Sequence, residues 1–292
     1  MHRFLERLSR GPMVSSGAVG TMLQAKGLPP VTTLEEYNLS HPEAVAEIHR
    51  AYCEAGAEMI GTNTFGANPL KLRKARLADK AYDFNYQGAK IARAAAPKEV
   101  LVFAAIGPSG EFLAPLGEIS PEEMYEIYKG QILALAEGGA DLLSLRTFTD
   151  LEEMRIAVRA AKENTQLPVI ATMTFDLGQK GFRTMMGVDV KAAIEGMAGA
   201  GAEVIGSNCG RGMEEMVPLM GEMRVQFKGY LTAQPNAGLP QLVDGKAKYT
   251  QSPEEFASWV PRLLEAGVSI IGGCCGTTPD HTRKVAEALR KR

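Results

Sequence analysis

Short apolar stretches alternate with longer amphipathic stretches along the chain. The apolar stretches predict eight strands, at residues 13–16, 58–62, 100–106, 141–145, 169–174, 203–208, 229–233 and 269–273. They are apolar over nearly their whole length, which is typical of parallel strands buried on both faces. The amphipathic stretches predict eight helices, at residues 42–55, 79–95, 120–137, 150–164, 190–200, 213–226, 253–266 and 279–292.

A weak internal repeat supports this alternation. Residues 55–61, 138–144, 200–206 and 266–272 share one pattern, in which a glycine and a small residue precede a polar residue and an apolar run. Each copy is typical of a helix that ends at glycine, turns tightly and enters a strand. The copies precede the second, fourth, sixth and eighth predicted strands.

The spacing of these units indicates the fold class. Eight strand–helix units in 292 residues occupy about 36 residues each, as in a (β/α)8 barrel. We therefore predict an α/β fold, a single (β/α)8 TIM barrel domain over residues 1–292. A doubly wound open sheet is the alternative, but no Gly-x-Gly-x-x-Gly segment opens a helix. In a barrel, the longer connections at 64–78, 107–119, 175–188 and 235–251 lie on the C-terminal face, where active sites are built.

Net charge and the length of the apolar runs argue against some classes of binding partner. The formal net charge of −2 argues against nucleic acid as a partner. The chain lacks the run of about 18 apolar residues that a membrane span requires, and its start lacks a signal-peptide core. We therefore expect no membrane association and a reducing, cytoplasmic location. The oligomeric state is left open.

Three of the four cysteines fall at predicted strand ends. Cys209 ends the sixth strand, and Cys274 and Cys275 end the eighth, whereas Cys53 lies in the first helix and is expected to pack there. Because these strands are next-but-one neighbours in a barrel, the three thiolates would meet on one rim. Three protein ligands with one open position are the arrangement of catalytic zinc, and thiolates favour Zn²⁺. The alternative is a tight strand end without metal.

A three-thiolate zinc site carries a net charge of about −1, which makes zinc a weak Lewis acid for hydrolysis. Such a site suits the activation of a substrate thiol, because metal coordination lowers the thiol pKa and the thiolate is the reactive form.

The segment Gly-Gly-Cys-Cys-Gly-Thr-Thr-Pro-Asp-His at 272–281 resembles the zinc signature of the homocysteine S-methyltransferase family. The resemblance extends to residues 17–22, 62–67, 107–110, 147–153, 208–209 and 234–238. Its details are closest to the N-terminal zinc module of cobalamin-dependent methionine synthase. The resemblance implies a (β/α)8 barrel with Zn²⁺ on the catalytic residues Cys209, Cys274 and Cys275, and a small thiol acceptor that completes the coordination.

Two positions depart from the family pattern. The chain has Ser16-Gly17 where the family has Asp-Gly, and Arg146-Thr147-Phe148 where it has Glu-Thr-Phe. The two family carboxylates lie near the homocysteine ammonium. Arg146 would repel this ammonium, and the repulsion is substantial because the effective dielectric constant of a semi-enclosed site is only about 20. We therefore predict a non-amino or anionic thiol, such as 3-mercaptopropionate, 2-mercaptoethanesulfonate or sulfide. The alternatives are a homocysteine S-methyltransferase that makes methionine, with Arg146 paired to a rim acid such as Glu111 or Asp176, and a non-catalytic zinc- or thiol-binding subunit.

The predicted substrate contacts lie in or beside these motifs. They are Ser16, Gly17, Asn63, Arg146, Asn208 and Asn236, although the asparagines are equally suited to capping turns. The Asp-x-His-x-x-Gly string that binds cobalamin is absent, and we expect no cobalamin or folate domain in the chain. The methyl donor is then a small molecule such as a sulfonium, or a separate methyl-corrinoid protein that docks on the C-terminal face.

Overall fold

Parallel strands close into a barrel in this computed structural model, which describes residues 2–210, 212–243 and 246–291. In these residues eight barrel strands are present: β1 (Met13–Val14), β2 (Met59–Gly61), β3 (Leu101–Ile106), β4 (Leu142–Phe148), β5 (Val169–Met173), β6 (Val204–Cys209), β7 (Tyr230–Pro235) and β8 (Val268–Ile271). Consecutive strands are neighbours and β8 pairs with β1. Ser15 bridges Met59, and the Ser16 N–H donates to the Met59 carbonyl at 2.8 Å. These contacts close the ring, so the predicted barrel is confirmed and the open-sheet alternative is wrong.

Outer helices follow the strands: α1 (Pro42–Glu54), α2 (Ala81–Ala95), α3 (Pro121–Glu137), α4 (Leu151–Asn164), α5 (Val190–Gly199), α6 (Met213–Gln226), α7 (Pro253–Ser258, continued by Val260–Glu265) and α8 (Pro279–Arg290). The predicted ends agree within about two residues for most elements. Arg292, the last residue of the predicted eighth helix, lies outside the described residues. The largest difference is β4, which continues three residues past the predicted end to Phe148, because its apolar run is interrupted by Arg146.

The repeated helix–strand junctions have one backbone conformation. The glycines after the helices have positive φ angles of 95°, 99°, 103° and 75°, at Gly56, Gly139, Gly201 and Gly267 respectively. Such angles are strained for residues that carry a Cβ, so glycine recurs there. In three copies the polar residue accepts a backbone N–H from the preceding strand, as Glu58 does from Val14 at 3.0 Å.

A short helix closes the N-terminal end of the barrel. This helix, Arg3–Leu8, buries Phe4 and Leu8 against inward-facing residues of the strands, including Met13, Phe103 and Leu142. The sequence pattern did not predict it, since six residues are too short for a clear helical period. This apolar plug covers the barrel interior at the N-terminal ends of the strands.

The connections at the C-terminal face contain further structure. They include helices Gly20–Ala25, Tyr37–Ser40 and Pro69–Arg73, 3-10 turns Leu34–Glu36 and Ala78–Lys80, and hairpins Asp176–Gly178/Gly181–Arg183 and Gln241–Val243/Lys246–Lys248. These segments surround the open end of the barrel. Among the helices of the described chain, none has the length and apolarity needed to cross a membrane.

Candidate metal centre and acceptor cavity

The barrel brings Cys209, Cys274 and Cys275 together. Their sulfur atoms all lie within 4.8 Å of one another. Strand β7 lies between β6, which ends at Cys209, and β8, which the other two cysteines follow. Pro235 at the end of β7 contacts both sides. Cys209 pairs with Pro235 in the sheet register, and the Cys274 N–H donates to the Pro235 carbonyl at 2.7 Å. The group can hold a metal ion, whereas Cys53 lies apart in α1 and packs partly buried against apolar residues.

A strained turn ends β6 at Cys209. Its φ of 66° lies in the left-handed region, which costs a residue with a Cβ about 1–3 kcal/mol. Such a turn persists only where contacts with its surroundings offset this cost. Two side chains hold this turn. The Thr174 hydroxyl donates to the Asn208 carbonyl at 3.0 Å, and the Asn236 amide donates to the Gly210 carbonyl at 2.5 Å. Strain compensated in this way is characteristic of functional sites.

Asn236 also supports the second cysteine-bearing turn. Its Oδ1 accepts the Cys275 N–H at 3.1 Å, so one side chain joins the ends of β6 and β8. Gly276, with φ of 80°, follows Cys275 and packs against Tyr249, where a Cβ would lie 2.1 Å from the ring. Burial, together with the charge of Cys275, raises the pKa of Tyr249.

Asn208 connects the cysteines to β4. It is fully buried, and its Oδ1 accepts from the Thr147 N–H at 2.7 Å and the Thr172 hydroxyl at 2.6 Å. Its amide nitrogen donates to the Thr147 hydroxyl at 2.7 Å and lies 3.7 Å from the Cys274 sulfur. These four contacts use the hydrogen-bonding capacity of the side chain within the protein and fix its orientation.

The three thiols do not ionise independently. Hydrogen bonds from Cys209 and Cys275, aided by Arg146 and Asn208, hold the pKa of Cys274 well below its usual range despite burial. The hydrogen bonds that join Cys209 to Cys274 and to Cys275, together with burial, raise the pKa of Cys209. For Cys275 the bond from Cys209 lowers the pKa, but the bond to Cys274 and burial outweigh it and raise the pKa to about 11. The group therefore favours a single thiolate, and three thiolates require a cation among them, which fits a soft divalent metal.

A cavity of about 540 Å³ opens beside the cysteines. All three cysteines line it, together with the predicted contacts Gly17, Asn63 and Arg146. The other predicted contacts lie outside its lining. Ser16 faces β2, where its hydroxyl accepts the Gly61 N–H at 3.2 Å, and Asn208 and Asn236 bond to the strand ends behind the cysteines.

Arg146 is a buried cation in this cavity. The residue is 8% exposed, its Nη2 donates to Gln234 Oε1 at 2.5 Å, and its guanidinium lies 5.4 Å from the centre of the Phe103 ring. Glu111, one of the rim acids considered above, pairs instead with Lys74 at 3.2 Å. Throughout the described part of the chain, no carboxylate pairs with Arg146, so the predicted rim ion pair is not formed with any of the described acids.

The cavity also contains an acid that the sequence patterns did not indicate. Glu35 is 6% exposed and accepts the Gly66 N–H at 2.6 Å and the Thr33 hydroxyl. It lies in a connection without helical or strand periodicity, so no local signal distinguished it from other acids. Gln234 was missed for another reason: it belongs to the family-like segment 234–238, but its contact with Arg146 spans 88 positions.

The molecule is a (β/α)8 barrel with a three-cysteine centre that can hold a metal ion, and comparison with known proteins identifies its family. A model of the homocysteine S-methyltransferase family matches residues 13–289, so the chain belongs to that family. Methyl transfer to a thiol is the activity for which this family is named.

Similar proteins agree with this assignment. Methionine synthases from Mycobacterium leprae and Mycobacterium tuberculosis are each 33% identical over 98% of the chain. The chain spans about a quarter of the length of these relatives, 25% in each case. The metallated homocysteine methyltransferase MmuM from Escherichia coli has the same fold, with a TM-score of 0.82, 22% identity and coverage of 98% of this chain and 99% of that one.

Proposed function

We propose that this barrel is a zinc-dependent thiol S-methyltransferase whose acceptor carries an anionic group, or no ammonium, beside Arg146. The observation that carries the proposal is a buried guanidinium that pairs with no carboxylate of the described residues and that lines the same cavity as the three thiols. Arginine has five N–H donors, and one of them is used by Gln234. The others are suited to a carboxylate or sulfonate, which the planar guanidinium binds bidentately.

The donor set suits zinc. Cys209, Cys274 and Cys275 would hold the ion, since three clustered thiolates need a soft divalent cation to balance them. When bound there, zinc would lower the pKa of an acceptor thiol and keep it as a nucleophilic thiolate. Asn208 and Asn236 support the cysteines, and Arg146 offsets the negative charge of the thiolates.

The proposed transfer is a displacement at a methyl carbon. A bond forms between the acceptor sulfur and this carbon while the bond from the carbon to the donor breaks, and the electron pair of that bond leaves with the donor. The thiol proton passes to solvent. For an acceptor such as 3-mercaptopropionate or 2-mercaptoethanesulfonate, Arg146 binds the anionic end and turns the sulfur towards the cysteines.

Homocysteine is the second candidate acceptor, and Glu35 is the observation that favours it. This buried carboxylate lines the same cavity and could receive an ammonium while Arg146 receives the carboxylate. The substitution Glu35→Gln separates the two cases. It should weaken homocysteine binding about tenfold if the ammonium binds there, but leave the affinity for 3-mercaptopropionate unchanged.

The methyl donor is proposed to be a separate methyl-corrinoid protein, with a small sulfonium as the alternative. Exposed apolar side chains support docking on the C-terminal face. Within the described chain they include Phe65, Phe112, Leu116, Leu177, Met185 and Leu239, which lie in loops after barrel strands. A cytoplasmic location is proposed because free thiols persist in a reducing compartment.

A panel of acceptors tests the proposal. Zinc-loaded protein would be given methylcobalamin and one of 3-mercaptopropionate, 2-mercaptoethanesulfonate, sulfide or homocysteine, and the methylated product would be quantified. We expect an acceptor without an ammonium to have the highest kcat/KM. A clear preference for homocysteine would support the second candidate. Zinc binding without methylation of any thiol, from methylcobalamin or from a methyl-corrinoid protein, would instead indicate a non-catalytic subunit.

A further inference from the structure

We infer that Gln234 is the positioning residue that makes Arg146 a receptor for anionic acceptors. The inference rests on the proposed anionic acceptor and extends it to a second residue. Arg146 extends from β4 and Gln234 from β7, so the contact at 2.5 Å crosses the barrel interior. Both side chains are buried, with Gln234 only 1% exposed.

A chain of hydrogen bonds fixes which end of the Gln234 amide faces the guanidinium. The Thr232 hydroxyl donates to the Ile270 carbonyl at 3.3 Å, and its oxygen accepts from Gln234 Nε2 at 3.2 Å. Since the amide nitrogen is used in this way, the amide oxygen is left to face Arg146. The orientation of Gln234 is therefore determined by the backbone of β8, through Thr232.

The guanidinium is held from two sides. Gln234 accepts one N–H of the guanidinium. On another side lies the Phe103 ring, whose centre is 5.4 Å from Arg146 Cζ. In the part of the chain that the structure describes, Arg146 donates no other hydrogen bond. Both Nη1 protons, the Nε proton and one Nη2 proton remain for an anion in the cavity.

The amide matters because it orients the cation without neutralising it. A carboxylate at position 234 would form a buried ion pair with Arg146 and compete with the acceptor's own carboxylate. An apolar side chain would leave the charge but remove the orienting bond. Gln234 does neither, and we assign specificity for anionic acceptors to the pair Arg146–Gln234.

Calorimetric binding to the zinc-loaded protein tests this assignment without a methyl donor. The probes are 3-mercaptopropionate and its uncharged counterpart 2-mercaptoethanol. We expect wild type to bind the anionic thiol at least about tenfold more tightly. In Gln234→Glu this preference should vanish, and in Gln234→Met it should fall several-fold, while the affinity for 2-mercaptoethanol and the zinc content stay unchanged.

A variant at Thr232, which does not touch Arg146, controls for misfolding of the Gln234 variants. Thr232→Val keeps the side-chain shape and removes the hydroxyl that orients Gln234, so a smaller loss of affinity for the anionic thiol is expected. If the variants lost affinity for both thiols equally, Gln234 would have only a structural role and the inference would be overturned. An unchanged preference in all three variants would overturn it as well. By contrast, a wild type without preference would contradict the proposed function itself.

Discussion

The amide nitrogen of Asn208 lies 3.7 Å from the Cys274 sulfur, and the other bonds of this side chain hold it against β4 and β5. Asn208 therefore couples the cysteine that follows β8 to strands on the opposite side of β6. Cys274 is the thiol whose pKa is held lowest, so the asparagine supports the most readily ionised sulfur of the group.

Removing this amide should weaken metal binding. We expect Asn208→Ala to lower zinc affinity by about 10- to 100-fold, because side chains that orient metal ligands commonly contribute that much. Competition with a chromogenic chelator measures the change. Asn164→Ala is the matched control, because Asn164 bonds to Tyr125 and the α4 backbone away from the cysteines. Equal zinc affinity in Asn208→Ala and wild type would contradict this prediction.

Each cysteine of the group should be needed for stoichiometric zinc. Cys209→Ser, Cys274→Ser and Cys275→Ser are expected to lose most of the zinc that wild type retains after gel filtration, as measured by mass spectrometry of the metal. Cys53→Ser should retain it, because Cys53 lies outside the group. If any of the first three variants kept a full equivalent, a three-thiolate site would be wrong.

Reversing the charge of Arg146 should reverse acceptor preference. In Arg146→Glu the ratio of kcat/KM for 3-mercaptopropionate to that for homocysteine is expected to fall about 100-fold, since an attraction within a few ångströms becomes a repulsion. Arg155→Glu, at an exposed arginine of α4, is the control for charge alone. A wild-type preference for homocysteine that Arg146→Glu leaves unaltered would refute the charge argument.

The buried His49 should make stability depend on pH. Among the described residues neither ring nitrogen has a hydrogen-bond partner, and burial lowers the pKa of His49 from 6.5 to about 4. Because the unfolded chain binds this proton more readily, the contribution of His49 is present above pH 6.5 and is lost as the pH falls towards 4, by about 3 kcal/mol in total. His49→Leu should flatten the dependence of unfolding free energy on pH over this range, measured by urea denaturation. His41→Leu is the control, and equal slopes in His49→Leu and wild type would contradict the assignment.

Periodicity in the sequence was sufficient for most of the fold. Each predicted barrel strand and outer helix has a counterpart, because the apolar runs are buried on both faces and the repeated glycines adopt left-handed turns. Besides the short helices, 3-10 turns and hairpins of the C-terminal connections, two features of the barrel escaped it. The Arg3–Leu8 helix is too short for a period, and β4 continues through Arg146, a charged residue that a buried strand accepts only because it faces the cavity.

By itself, the sequence determined the barrel, the family and the three cysteines that meet at the ends of two next-but-one strands, because these follow from local period, motif and strand order. The tertiary structure alone decided which polar side chains share the cavity. It turned Ser16 towards β2, brought Glu35 into the lining and set Gln234 against Arg146 across 88 positions. Such contacts depend on how strands are staggered and how side chains point once the barrel has closed, and neither property is encoded within a short segment of the chain.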